Sequence, residues 1–168
     1  MDNKIFKAFY GFTFSHKRFA KTLFFCDRLF PYVFAIIFIT LGTYAASNRT
    51  LASLLLYVCV PLITITVSLI TRKLINRPRP NTHFNIEGRY ATKSKPSFPS
   101  NHVSSATAIA FACLYISSPI GIAVLCLAII TSLCRIFCGA HYPSDVLAGF
   151  VLAALMAIAG YSWIDGLL

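Results

Sequence analysis

Residues Val103–Cys134 read VSSATAIAFACLYISSPIGIAVLCLAIITSLC and contain no charged side chain. About 20 apolar residues suffice for one helix to cross a bilayer, so this run is too long for a single ordinary span. Near its middle, Ser117-Ser118-Pro119-Ile120-Gly121 is a turn signal. The stretch therefore predicts a helical hairpin, about Ser100–Ser117 and then about Pro119–Phe137.

The flanking sequence repeats this pattern. No charge lies between Arg28 and Arg49, or between Arg49 and Arg72, which predicts spans over Leu29–Asn48 and Thr50–Thr71. Pro61 is expected to kink the second of these, as prolines do inside membrane helices. A last uncharged run, Val146–Trp163, gives a fifth span. The expected fold is an all-α integral membrane protein, a bundle of about five transmembrane helices forming a single domain over residues 1–168. In Met1–Arg28, Phe19, Ala20, Leu23 and Phe24 fall at helical spacing among Lys17, Arg18 and Lys21. That predicts an amphipathic segment lying in the interface, basic face towards headgroups. A cleavable signal peptide fits poorly, because the first long apolar run starts only at Leu29.

Composition agrees with this reading. Hydrophobic residues make up 57% and charged residues 12%, and mean hydropathy is +0.72. A small soluble domain has too much surface for its volume to hide so much apolar area. The charges are unequal, 15 Lys+Arg against 5 Asp+Glu, for a formal net charge of +10. Such an excess suits an anionic partner. Phospholipid headgroups or a phosphorylated substrate fit; nucleic acid does not, since no basic recognition helix or finger pattern is present. The six cysteines include no Cys-x-x-Cys pair and mostly lie in apolar runs, where they serve as small fillers. Zinc ligation by Cys134, Cys138 and His141 lacks an obvious fourth ligand.

Counting crossings puts the polar stretches Arg72–Pro99 and Arg135–Asp145 on one membrane face, because two spans separate them. Their residues form a chemically coherent set. Arg72, Arg79 and Arg135 carry planar forks of donors that match phosphate oxygens. Pro99-Ser100-Asn101-His102 opens a helix with Ser100 as N-cap, and the free N–H groups of such a start bind anions. His102 and His141 supply imidazoles, and Asp145 falls four residues after His141. Pro143 suits the first turn of the last helix, so Asp145 lies just inside it and can fold back to the imidazole. This is equipment for phosphoryl transfer: cations for the equatorial oxygens, one histidine to attack phosphorus and another to protonate the leaving oxygen. The remaining acids, Asp2, Asp27, Glu87 and Asp165, make no cluster for magnesium, so neither metal nor cofactor is expected.

Together the three blocks resemble the signature of the type 2 phosphatidic acid phosphatase superfamily, membrane enzymes that act on lipid phosphates and diphosphates. That signature reads Lys-x6-Arg-Pro, Pro-Ser-Gly-His and Ser-Arg-x5-His-x3-Asp, and the match runs from Arg72 to Asp145. The resemblance implies a lipid phosphate substrate and a phosphohistidine on His141, oriented by Asp145. It implies His102 as general acid, and Arg79, Arg135, Ser100 and the backbone at Asn101 as binders of the phosphoryl oxygens. Three positions depart from the pattern. Arg72 stands for Lys, with Lys73 beside it; Asn101 stands for Gly; Cys134 stands for Ser. Arg77, Arg89, Lys93 and Lys95 read as headgroup contacts or solvated loop charges, and the loop Asn81–Lys95 as an aid to substrate choice. Two other readings share these residues: a lipid phosphotransferase passing the phosphoryl group to an acceptor lipid, and a non-enzymatic protein that only holds anionic headgroups.

Orientation brings two expectations into conflict. Apart from Arg49, the Lys and Arg outside the catalytic set gather on the motif-bearing face, and the positive-inside rule would turn that face to the cytoplasm. The family resemblance instead implies an extracytoplasmic site in a multi-pass protein of the cell membrane, and that reading is preferred.

Overall fold

A computed structural model describes residues 2–80 and 96–164. The stretch Asn81–Lys95, with Arg89, Lys93 and Lys95, and Asp165 lie outside the described residues. Among the described residues six α-helices follow in order: α1 (Asp2–Ser15), α2 (Lys17–Asn48), α3 (Leu51–Ile75), α4 (Asn101–Ile116), α5 (Ser118–Phe137) and α6 (Pro143–Ala157). A π-helical turn, Ile158–Ile164, extends α6. Among the described residues four helices are long and apolar enough to cross a membrane: Lys17–Asn48, Leu51–Ile75, Ser118–Phe137 and Pro143–Ser162.

The fifth expected span, α4, has only 16 residues, or about 24 Å at 1.5 Å per residue, short of a hydrocarbon core about 30 Å thick. Its surroundings explain why this suffices. Val103, Ser104, Ala106, Thr107, Ala108, Ala110, Ala112, Cys113 and Ile116 are all buried, so neighbouring helices rather than lipid surround it. The small residues let backbones approach closely, which is how membrane helices associate without a hydrophobic driving force. Gly149 of α6 lies against the start of α4: a Cβ there would meet the Ser100 carbonyl oxygen at 2.9 Å. In the hairpin, a Cβ on Gly121 would overlap the backbone of Leu114 outright.

The hairpin breaks where its turn signal stands, with Ser117 extended between α4 and α5 and Pro119 in the first turn of α5. At the far rim Arg49 Nη2 donates to the Ile116 carbonyl at 3.0 Å, supplying a cation to the open C-terminus of α4. Thr50 caps α3 by accepting from the Ser53 N–H at 3.2 Å, and α3 continues through Pro61 to end at Asn76, whose φ of 46° is left-handed.

The N-terminal segment Met1–Arg28 is not one unit. It divides at His16, and Lys17–Arg28 is the beginning of the long helix α2 rather than a separate interfacial helix. The apolar spacing of Phe19–Phe24 simply runs on into the first span. Helix α1 packs on the rim that carries the motifs. Phe6 is buried there and its ring meets Tyr142 edge-on at 5.7 Å.

Because the hairpin contact leaves no room for a methyl group, Gly121→Ala must push α5 off α4, at a cost of about 1–3 kcal/mol. Gly11 is the control, since a methyl group added there would meet nothing within 4 Å. Thermal unfolding in detergent should therefore show a lower Tm for Gly121→Ala, and for Gly11→Ala one that is no lower and rises slightly with alanine's better helix propensity.

Candidate active site

The chain leaves α5 at Phe137 and turns back on itself. The N–H groups of Ala140 and His141 both donate to the Arg135 carbonyl, at 3.1 and 3.3 Å. Pro143 then starts α6 and places Asp145 in its first turn. The Asp145 backbone carbonyl accepts from the Ser100 N–H at 3.0 Å, which joins the start of α6 to the start of α4. The two motif blocks on these helices thus meet, as their shared membrane face predicts.

Asp145 and His141 are both fully buried. His141 Nδ1 lies 3.7 Å from Asp145 Oδ2, within ion-pair range but longer than a hydrogen bond. Other donors fill the carboxylate. Arg77 Nη1 reaches Oδ1 at 2.7 Å, the Tyr142 N–H reaches Oδ2 at 3.0 Å, and the Ser97 hydroxyl donates to Oδ2. The Ser97 Oγ also stands 3.4 Å from His141 Nδ1.

Arg72, Arg79, Asn101, His102 and Arg135 line one open cavity of about 700 Å³, together with Arg28 and Lys73. Its floor is polar. His102 sits where Arg135, His141, Arg79 and Arg72 all act on it electrostatically, so the two imidazoles and the three arginines occupy one neighbourhood. Asn101 accepts from Ser68 Oγ at 2.7 Å, which ties it to α3 and leaves its amide NH2 as a donor. The side chain that replaces glycine thus has a partner on the next helix. Arg72 directs Nε to the Pro96 carbonyl at 2.7 Å, and its Nη2 bonds the same oxygen. Among the described residues, no three His, Cys, Asp or Glu side chains converge as metal ligands.

Among the described residues, the buried His141 Nε2 and Ser100 Oγ have no hydrogen-bond partner. Ser100 holds the N-cap position of α4, as expected, but makes no capping bond. An unpaired buried polar atom costs about 1–3 kcal/mol, a cost that binding sites bear so that a ligand can relieve it. Burial pushes the His141 imidazole down to about 4; its contact with Asp145 opposes this, and the Arg79 and Arg135 cations add to it. The ring is therefore neutral at neutral pH, with a lone pair to offer.

Three residues escaped the sequence reading. Arg77, read as a solvated charge, instead bonds Asp145, pairs with Asp2 at 2.8 Å, and lies 4.2 Å over the Tyr142 ring. Asp27 is buried and grips Arg135, with Nε–Oδ1 at 3.0 Å and Nη1 donating to Oδ2 at 3.2 Å. Ser97 is the third. Asp27 did leave a trace, as a lone acid beside an apolar span, where charge is expensive and has to be paired. Ser97 left none: it is one serine of several in a polar loop.

The profile of the PAP2 superfamily matches residues 50–167, which takes in all three motif blocks and every residue gathered at the cavity except those of α1 and α2. This chain belongs to the PAP2 superfamily. Among PAP2 proteins and related sequences, the undecaprenyl-diphosphatase BcrC of Bacillus subtilis (strain 168) is 25% identical over 98% of this chain and 85% of its own length. A decaprenylphosphoryl-5-phosphoribose phosphatase of Mycobacterium tuberculosis (strain H37Rv) is 37% identical over 52% of this chain and 48% of its own. The crystal structure of a transmembrane PAP2 type phosphatidylglycerolphosphate phosphatase from Bacillus subtilis superposes with a TM-score of 0.76, covering 99% of this chain and 86% of that one at 20% identity. The helical membrane fold is therefore the PAP2 fold.

A depressed histidine pKa means that the folded protein resists protonating the ring. As pH falls, His141 should stay neutral through pH 6 and take its proton only near pH 4. Histidine ¹⁵N resonances of the substrate-free protein, assigned with His141→Gln, check this; a midpoint near the ordinary 6.5 would contradict it.

Proposed function

We propose that this chain is a lipid phosphatase that removes phosphate from a lipid phosphate monoester or diphosphate through a phosphohistidine. The observation that carries the proposal is the buried, unpartnered Nε2 of His141 in the same neighbourhood as His102, Arg72, Arg79 and Arg135. Headgroup binding alone would need neither imidazole nor the buried carboxylate.

In this reading His102 takes up a proton as the anionic head binds and gives it to the departing oxygen while His141 Nε2 attacks phosphorus, so an N–P bond forms as the P–O bond to the lipid breaks. Arg72, Arg79 and Arg135, with Ser100 Oγ and the N–H groups at the start of α4, hold the equatorial oxygens as their charge develops. Water then attacks the phosphohistidine. His102, now neutral, takes the water's proton, the N–P bond breaks, and phosphate leaves. Asp145 stabilises the imidazolium character that His141 acquires when phosphorylated. The long apolar tail of such a substrate stays in the bilayer, and its head enters the cavity from the rim.

The site is proposed to face outward from the cell membrane. The basic excess on this rim, which would argue for the cytoplasm, is partly a feature of the site itself. Arg77 is tied to Asp145 and Asp2, and Arg28 and Lys73 line the cavity.

Phosphate release from a short-chain lipid phosphate should fall about a thousandfold or more in His141→Ala with helical circular dichroism unchanged, and should persist in EDTA. Turnover retained by the variant, or lost to chelator and restored by magnesium, overturns the assignment. For orientation, the native cysteines are replaced and single cysteines placed at the exposed positions of Lys4 and Ser47, on opposite rims. A membrane-impermeant maleimide added to intact cells should label Lys4→Cys and spare Ser47→Cys; the reverse pattern puts the site inside.

A further inference from the structure

Asp145 stands within ion-pair range of the imidazole it is proposed to orient, but beyond hydrogen-bond distance. The shortest approach is 3.7 Å, and both carboxylate oxygens already accept from other donors, Arg77 on Oδ1 and Ser97 with the Tyr142 N–H on Oδ2. The Ser97 hydroxyl lies between the two groups, bonded to Asp145 and 3.4 Å from His141 Nδ1. We infer that Ser97 is a positioning residue that links His141 to Asp145, so that the orienting unit is His141–Ser97–Asp145 rather than a histidine–aspartate pair.

The donor inventory fixes the direction of this link. A hydroxyl has one proton, and a carboxylate filled by cationic and amide donors can only accept. Ser97 therefore gives its proton to Asp145 and can only accept from His141. That requires Nδ1 to carry the ring proton, which leaves the lone pair on Nε2, the atom that has no partner. One serine thus selects the tautomer that can attack phosphorus. When the N–P bond forms and the leaving oxygen takes its proton from His102, the ring gains positive charge and keeps its Nδ1 proton. Polarisation of Nδ1–H towards Ser97, and of Ser97 O–H towards Asp145, spreads that charge without any proton changing owner.

The protein holds Ser97 in place independently of this link. Its N–H donates to the Arg77 carbonyl at 2.7 Å, and the preceding Pro96 carbonyl is gripped by Arg72. Both anchors come from the end of α3 and the residues just after it, and Ser97 itself is fully buried. A loop serine that merely capped a turn would not need to be clamped from the neighbouring helix end and aimed between two buried groups.

This inference rests on the proposed phosphatase reading, and two readouts separate their failures. In lipid phosphate hydrolysis, Ser97→Ala should lower kcat by about 10- to 100-fold with KM unchanged, and Ser97→Thr, which keeps the hydroxyl, should recover part of the loss. In the Asp145→Asn background, Ser97→Ala should cost little more, because the two residues act through one ring. Full activity in Ser97→Ala, or losses that multiply in the double variant, overturns the link. If the wild type releases no phosphate, the phosphatase reading has failed and the link is judged without substrate. Ser97→Ala should then shift the His141 Nδ1–H ¹⁵N resonance towards a mixture of tautomers, and an unmoved resonance rejects it. The same resonance serves where Ser97→Thr does not fold.

Discussion

A carboxylate with no access to water has to be surrounded by donors, since leaving such a charge unpaired costs several kcal/mol. Asp145 is that carboxylate, and meeting its needs organises the whole rim. Arg77 reaches it from beyond the end of α3, Ser97 from the segment that leads into α4, and the Tyr142 N–H from the turn that leads out of α5. Arg77 also binds Asp2, and Asp2 accepts from the Ser144 hydroxyl at 2.5 Å and from the Ser144 N–H at 3.3 Å. Helix α1 is thereby fastened to the start of α6. Burial of the Asp2 carboxyl would raise its pKa, but the bonds from Ser144 and Arg77 outweigh this and hold it below the ordinary carboxylate range, so it is an anion at neutral pH and Arg77 is shared between two negative charges.

The bundle beneath serves this arrangement. Helix α4 is lined with alanine, serine and threonine, and Gly149 lets α6 approach its first turn closely. That contact brings the Ser100 N–H to the Asp145 carbonyl and so sets the distance between the start of α4 and the histidine loop. In a membrane, backbone proximity of this kind is won by small residues, because lipid is as apolar as any side chain. Tight packing therefore sets the site: the start of α4 and the turn that carries His141 meet because glycine at position 149 lets α6 approach α4.

Charge is distributed with the same economy. Arg135 reaches the cavity while Asp27 holds its guanidinium from α2, and Arg72 reaches it while its fork grips the Pro96 carbonyl. Each guanidinium is braced before a ligand arrives, which reduces the ordering that binding would otherwise require. His141 is held neutral by burial among these cations, and its free nitrogen is left without a partner.

The sequence by itself determined the bundle and the common rim of its motif blocks. Charge-free runs bounded by arginine mark the spans, Ser117–Gly121 marks the hairpin, and parity of crossings puts the motif blocks on one rim; a bilayer imposes these as one-dimensional rules. The arginines and both histidines of the candidate site were equally legible, because charge and imidazole are rare and conspicuous in an apolar chain. Tertiary structure alone decided the partners. Arg77 looks like any loop cation until Asp2 and Asp145 are seen on either side of it, and Ser97 is one hydroxyl among many until the gap between His141 and Asp145 is measured. The division of Met1–Arg28 at His16 was also beyond reach, since an interfacial helix and the first turns of a span carry the same periodicity. Hydrogen bonds between residues far apart in the chain leave no spacing for a sequence to display, and at this site they set which nitrogen of His141 is free.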